Sequence, residues 1–122
     1  MSMLDTIRET LETFGDTHYG RADVETTETW DYFVFRRVNL KKKGSGGTDY
    51  NRYYQVAIVR ENYIPENYEF EIIKAICTAT RMRLADVDVL YDYTFKGATD
   101  LIVEVALITF TEHIKGCVIN GE

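Results

Sequence analysis

The residue types from which most catalytic and metal sites are built are scarce in this sequence. Its 122 residues include two cysteines, two histidines, one tryptophan and one proline. Cys77 and Cys117 lie forty positions apart, with His18 and His113 as the only imidazoles, and this is not the spacing of a zinc site. Since cytosolic proteins rarely keep disulfides, we expect both thiols to be free. The sequence therefore predicts no metal site and no cofactor.

Enzyme motifs are also missing. Neither histidine has a serine or cysteine nucleophile at a recognisable spacing, and no paired acid and base stand out. The glycines of KKKGSGGTDY (41–50) do not have the G-x-x-x-x-G-K-[ST] spacing of a phosphate-binding loop. Asp86, Asp88 and Asp92 offer oxygen ligands for a divalent cation, but alternate residues of a strand lie about 7 Å apart. We therefore expect a wet strand face there, and a protein that is not an enzyme.

Long hydrophobic runs are absent as well. No apolar stretch approaches the ~20 residues that cross a bilayer, and residues 1–14 form a charged amphipathic stretch rather than a signal peptide. The sequence therefore predicts no membrane contact, and synthesis that ends in the cytoplasm. The net charge of −6 argues against non-specific coating of DNA, which depends on lysine and arginine.

The chain does contain enough apolar material for one folded domain. Hydrophobic residues make up 45% of it, and nine residues are tyrosines, which is typical of a compact, strand-rich domain. We expect a single domain over 1–122. Within it, 16–30 is predicted to be an extended loop, 41–50 a flexible hairpin loop and 115–122 a disordered tail.

Two stretches have the three- and four-residue spacing of amphipathic helices. Ser2 can cap the first helix, with Asp5 as the acid of a capping box. Pro65 suits the first position of the second helix, because its missing N–H would be unpaired there. The first stripe consists of Leu4, Ile7, Leu11 and Phe14. The second consists of Phe70, Ile72, Ile73, Ile76, Cys77 and Ala79.

Four stretches alternate in the manner of strands. They cover 31–40, 51–61, 87–95 and 100–111, so the order is helix, strand, strand, helix, strand, strand. We predict an α+β domain with a four-stranded, mainly antiparallel sheet and both helices packed on one face. In the second strand, Tyr54 is expected in the core and Tyr53 at the surface.

The last two strands also allow a prediction of register. Pairing Phe95 with Leu101 places Asp92 opposite Glu104, a destabilising arrangement unless a cation or solvent lies between them. The helices would then cover Leu101, Val103, Val105 and Leu107, together with Val89, Tyr91 and Tyr93 opposite them. The open face would consist of Ile102, Glu104, Ala106, Ile108 and Phe110. Exposure of so many apolar side chains to solvent is unfavourable, so this face predicts a protein partner.

The charges are separated along the chain. Residues 1–29 hold seven acids and two bases, whereas 36–52 hold six bases and one acid. Such separation can pair within one fold or between neighbouring copies. The candidate interface residues are Arg36, Arg37, Lys41, Lys42, Lys43, Tyr53, Asp92, Ile102, Glu104, Ile108 and Phe110.

The layout, with the stretches RENYIPENYEFEIIKAI (60–76) and VDVLYDYTFKGATDLIVEVALITFTEHI (87–114), resembles the tail completion or tail terminator proteins of long-tailed bacteriophages. These small α+β proteins are sometimes grouped with minor capsid and head–tail joining proteins. The resemblance implies a structural virion protein that forms a ring, typically hexameric, at the head-proximal end of the tail tube. Its partners would be the tail tube protein and the neck or connector proteins, and DNA would pass through without specific binding.

Two other interpretations remain open from the sequence. One is a different phage part, such as a neck, head-closure or tail-assembly protein. The other is a small cytoplasmic ligand-binding or enzymatic α+β domain, which would need a concave pocket with convergent polar groups.

Overall fold

The computed structural model describes residues 2–43 and 48–115. Within these ranges the chain forms two α-helices and six strands. The helices are α1 (Met3–Glu12) and α2 (Tyr68–Thr80). The strands are β1 (Asp16–Tyr19), β2 (Asp31–Lys42), β3 (Tyr50–Glu61), β4 (Arg83–Leu84), β5 (Leu90–Phe95) and β6 (Ile102–Ile114). The predicted α+β class is confirmed.

All the strands belong to one mixed sheet. Its order is β1–β2–β3–β6, and both β4 and β5 pair with the far side of β6. The β1–β2 pair is parallel, while the other pairs are antiparallel. The predicted four-stranded antiparallel sheet corresponds to β2, β3, β5 and β6, and the sequence reasoning missed the two short strands.

The strand β1 corrects the prediction that 16–30 is all loop. Asp16–Tyr19 pairs with the segment of β2 around Phe33 and Phe35. The Gly20 N–H then donates to the Phe35 carbonyl at 2.9 Å, and Gly20 leaves the strand with φ of 80°, a conformation that costs glycine little. Four residues are too few to show alternation, so this strand had no readable pattern.

The ends of the helices follow local hydrogen bonding. Ser2 and Asp5 form the predicted capping box: the Asp5 N–H donates to Ser2 Oγ at 3.1 Å, and the Ser2 N–H donates to Asp5 Oδ2 at 3.3 Å. The Ser2 hydroxyl also donates to Asp5 Oδ2 at 2.8 Å, and this bond, together with the one from the Ser2 N–H, lowers the pKa of Asp5. The second helix begins three residues after Pro65, following a turn in which the Tyr68 N–H donates to the Pro65 carbonyl. It ends at Thr80, and its C-cap residue Arg81 has a φ of 64°.

Both helices pack on the same face of the sheet, as predicted. The core between them includes Ile7, Leu11, Ile72 and Ile76 from the helices, Phe33, Phe35, Tyr54, Val56 and Ile58 from β2 and β3, and Ala106, Ile108 and Phe110 from β6. Phe70 does not join this core, since it is 66% exposed.

The register of the last hairpin differs from the prediction by one residue. Phe95 pairs with Ile102 and Asp92 pairs with Val105. A slip of one residue exchanges the two faces of a strand. Ile108 and Phe110, predicted as contacts on an open face, are therefore fully buried under the helices, and that part of the prediction is wrong.

The observed register also removes the predicted repulsion. Asp92 and Glu104 now point to opposite faces, so no cation is needed between them. The Glu104 carboxylate instead accepts the Tyr93 hydroxyl and the Ile64 N–H, each at 2.7 Å. Hydrogen bonds to a carboxylate are among the stronger ones in proteins, and they favour this register over the alternative.

Parts of three predictions fall outside the described residues. In the predicted loop 41–50, Lys41 and Lys42 belong to β2 and Tyr50 belongs to β3, while 44–47 lie outside the described ranges. Of the predicted tail 115–122, 116–122 lie outside them, and so does Cys117. Cys77 is a free, partly buried thiol, and its burial raises its pKa.

Candidate interaction surfaces

The sheet face away from the helices is only partly covered. At one end, Val59 and Val103 are buried, beside the place where the Trp30 ring packs on Tyr32. The middle of the face is partly exposed, and apolar side chains lie around it. We call this surface the open sheet face. It consists of Val34, Ala57, Val105 and Leu107, with the more exposed Val38, Val87 and Leu90 near its margin.

An ion pair closes the covered end of this face. Lys96 is 6% exposed and pairs with Glu61 Oε1, which also accepts the Trp30 N–H at 3.0 Å. Because the Lys96 ammonium stabilises the charged carboxylate, the pKa of Glu61 lies below its usual value. The Trp30 indole N–H donates to the Glu25 carbonyl at 3.0 Å. Together these contacts hold the loop 20–30 against the ends of β3 and β5.

The depressions in the surface are shallow. One of about 350 Å³ lies at the other end of the open sheet face and is lined by Val38, Asn39, Lys41, Tyr53, Val87 and Thr109. Apolar atoms form most of its lining, and Lys41 is the charged residue among the described ones that line it. Another of about 320 Å³ lies beside β4 and includes Arg81, Arg83, Glu112 and His113. Both are open to solvent rather than enclosed.

A basic hairpin arm extends beyond the helical layer. From Arg36 onward, every residue of β2 is exposed. We call residues 36–43 the basic arm. A bulge lies between Arg37 and Asn39, so Arg36 and Lys41 share the open sheet face while Arg37 and Lys42 share the helix face. Val38 and Leu40 are also exposed, by 42% and 49%, so the arm is apolar as well as basic.

The strand β5 carries a row of exposed aromatic side chains on the helix face. Tyr91, Tyr93 and Phe95 are 49%, 59% and 57% exposed. The Tyr91 hydroxyl donates to Glu69 Oε2, and this carboxylate raises the pKa of Tyr91 to about 12. We call the three residues the aromatic row. Exposed aromatic side chains are enriched at protein interfaces.

The histidines form local pairs. His18 Nε2 lies 3.1 Å from Asp16 Oδ2, and His113 Nε2 lies 3.3 Å from Asp49 Oδ2. Within residues 2–43 and 48–115, no group of three His, Cys, Asp or Glu side chains is placed to hold a metal ion.

The predicted interface residues fall into four places. Arg36, Arg37 and Lys41–Lys43 come together in the basic arm, with Tyr53 at its base in the apolar depression. Ile102 and Glu104 lie on the helix face beside the aromatic row, and Asp92 lies on the opposite face of β5. Ile108 and Phe110 are in the core.

Sequence reasoning placed two groups of residues wrongly. It assigned Tyr91 and Tyr93 to the core, and it assigned Val105 and Leu107 to the helix side. Both faces of β6 are apolar, so alternation alone could not choose between them. The repulsive Asp92–Glu104 pair of the predicted register was the one signal against that choice.

Comparisons of this chain with protein-family models and with curated proteins found no match. In the part of the chain that the structure describes, neither helix is long and apolar enough to cross a membrane.

Proposed function

We propose that this chain is a structural subunit of a long phage tail, forming a hexameric ring at the head-proximal end of the tail tube. The main support is the apolar surface that the domain leaves uncovered. The open sheet face, the aromatic row and the apolar residues of the basic arm lie on three different parts of one small domain. Apolar surface of this extent is typical of a subunit that is buried by its neighbours.

The charge distribution supports contact between copies. The basic arm projects from one part of the sheet, whereas acids dominate residues 1–29 and the region of β5. Complementary charges steer association and set its orientation. A contact between two different surfaces of identical subunits is heterologous, and it closes into a ring when the rotation allows. The predicted pairing of the basic stretch with residues 1–29 remains one form of this contact.

A ring of this kind would end the tube and present a surface on which the neck or connector proteins dock. DNA would pass through its centre. The net charge of −6 favours a channel wall along which DNA slides without specific binding, because strong binding needs many lysine and arginine contacts to phosphate. The proposed location is therefore the tail or neck of the virion.

The test is removal of this chain from the phage or prophage that encodes it, followed by electron microscopy of the tails. We expect tubes of irregular length without heads, and normal particles when the wild-type chain is restored. Tubes of normal length that fail to join heads would contradict termination and favour a neck or head-closure part. Normal particles would overturn a tail role altogether and favour the small ligand-binding domain.

A charge-reversal variant tests the basic arm in the same system. Lys41→Glu, Lys42→Glu and Lys43→Glu together should abolish restoration, because the arm would then repel an acidic neighbour. The matched control places the same three charge changes at Arg21, Lys74 and Arg83, which are exposed elsewhere. If the arm variant restores normal particles as well as the control does, the arm has no part in assembly.

A further inference from the structure

We propose that the outer edge of β5 is the docking site for the basic arm of a second copy of this chain, which adds there as a further strand. The inference rests on the proposed assembly role and specifies which surfaces meet. It replaces residues 1–29 with the β5 edge as the arm's acidic partner.

The first support is the hydrogen bonding of β5. Among the described residues, this six-residue strand pairs with β6 on one side only. The Lys96 N–H donates to the Leu101 carbonyl. In an antiparallel pair, the backbone groups of successive residues point alternately toward and away from the neighbouring strand. The N–H and C=O groups of Tyr91, Tyr93 and Phe95 therefore point away from β6. The Tyr93 N–H is taken by Asp92 Oδ1 at 2.8 Å. The other groups of this edge can pair with an added strand.

The basic arm supplies a matching edge. The strand β1 covers β2 only from Tyr32 to Phe35, so 36–42 pair with β3 alone. The Lys43 N–H donates to the Asp49 carbonyl, and the alternation from this pair points the backbone groups of Leu40 and Lys42 outward. Both edges are short, similar in length and unpaired on one side within the described sheet. They can therefore form backbone hydrogen bonds with each other.

Charge selects this pairing over others. Residues 86–104 contain five acids and one base, and that base is the buried Lys96, already paired with Glu61. Acidic side chains at a free edge discourage the addition of unrelated strands. The basic arm, with five lysine and arginine residues over 36–43, carries the opposite sign. A basic strand is therefore the partner that this edge accepts at the lowest electrostatic cost.

The side chains also match by face. In a sheet continued from β5 into the arm of the next copy, Arg37 and Lys42 lie on the side of the aromatic row. Cations placed over tyrosine or phenylalanine rings are attracted by the ring faces. On the other side, Arg36 and Lys41 lie beside Asp92. Each face therefore brings together groups that attract each other.

The positions of the two edges give the contact a direction. The free edge of β2 and the edge of β5 lie at opposite sides of the sheet. Their pairing is therefore head-to-tail: each copy contacts one neighbour through its basic arm and the other neighbour through its β5 edge. This is the type of contact that builds closed rings.

Two blocked variants test this pairing directly. The first carries Asp92→Lys and Phe95→Pro, which reverse a charge and remove an outward N–H of β5. The second carries Leu40→Pro and Lys41→Glu, which remove an outward N–H of the basic arm and reverse one of its charges. Each variant alone should associate at least about tenfold more weakly than wild type. Mixed together they should form a one-to-one dimer and nothing larger. The first variant keeps an unaltered basic arm and the second keeps an unaltered β5 edge, so only one contact can form between them. Light scattering with mass measurement gives the readout, and circular dichroism confirms that each variant is folded.

A control with twice the charge change, placed in residues 1–29, separates the two acidic surfaces. Asp23→Lys with Glu25→Lys changes the loop 20–30 and should leave assembly intact, whereas loss of assembly in this control would make residues 1–29 the partner and overturn the inference. A blocked mixture that stays monomeric while wild type assembles would also overturn it.

Hydrogen exchange gives a second readout that needs no variant. On assembly at low ionic strength, the amides of Tyr91 and Phe95 should become protected in the wild-type chain. A wild-type chain that stays monomeric there, or assembles with these amides unprotected, would overturn the strand addition. The microscopy of tails decides the proposed function independently of this result.

Discussion

At the residue scale, the pair of Glu61 and Lys96 anchors the loop 20–30. Glu61→Gln should lower the free energy of unfolding by about 3 kcal/mol, because it leaves the Lys96 ammonium without its partner inside the domain. Glutamine can still accept the Trp30 N–H, so the loss reports the ion pair. Urea unfolding followed by Trp30 fluorescence measures it.

The matched control is the double variant Glu61→Gln with Lys96→Met. Since it removes both charges, it should be more stable than Glu61→Gln alone. A double variant that is less stable than the single one would show that Lys96 stabilises the fold through other contacts.

The same pair predicts a dependence on pH. The folded-state pKa of Glu61 is lowered from the ordinary value of 4.5, so its contribution is fully present above that pH and is lost as pH falls through the folded value. Urea unfolding at a series of pH values should therefore show a steeper acid loss of stability in wild type than in Glu61→Gln. Equal slopes would contradict this assignment.

Tyr91 gives a second residue-scale prediction. The neighbouring Glu69 carboxylate is the largest cause of its pKa of about 12, so Glu69→Gln should bring the pKa of Tyr91 down toward 10. Because the folded pKa is raised, the stabilisation is complete below pH 10 and is lost as pH rises toward 12. Titration of the ring carbon resonances by NMR measures the shift, and an unchanged pKa would mean that the two side chains do not meet in solution.

At the element scale, β6 decides which face of the sheet is covered. Ile108 is fully buried under the helices, and its neighbour Leu107 lies on the open sheet face. Ile108→Ala should cost about 3 kcal/mol, from lost transfer energy and the cavity left behind. Leu107→Ala should cost about 1 kcal/mol, since that side chain is partly exposed already.

These two substitutions form a matched pair, because both shorten one aliphatic side chain at adjacent positions of a single strand. Their urea midpoints therefore compare the two faces with little else changed. A larger loss for Leu107→Ala would favour the register in which Phe95 pairs with Leu101, and would contradict the structure.

The sequence predicted the elements whose environment differs between their two sides. The first helix has a single apolar stripe and a capped end, and β3 has Tyr54, Val56 and Ile58 on one face, so both were readable. The strand β6 lies inside the sheet and is apolar on both faces, so its orientation depended on tertiary packing. The strand β1 is too short to carry a pattern and forms by pairing with β2.

The aromatic row shows that alternation along a strand does not by itself predict burial. Tyr91 and Tyr93 do lie on the helix face, as their alternation indicated. They remain exposed because β5 is the outermost strand there, with the first turn of α2 reaching it through Glu69. Alternation predicts on which face of the sheet a side chain lies, whereas the burial of that side chain depends on how far the helical layer extends over the face.

At the scale of the whole molecule, the domain has one sheet which, within residues 2–43 and 48–115, has an unpaired basic edge on one side and an unpaired acidic edge on the other. The helices cover one face of this sheet, and part of the opposite face stays open. Ionic attraction between exposed charges is screened over about 10 Å at 0.1 M salt. Contact between copies through these edges should therefore weaken as salt is raised.

The mass of the wild-type chain in solution, measured over a range of protein and salt concentrations, tests the central claim most directly. We expect an assembly of six chains of 14.2 kDa each at low salt and high concentration, which dissociates as salt increases. A particle of 14.2 kDa at every concentration and salt would contradict the account that these surfaces join copies of the chain.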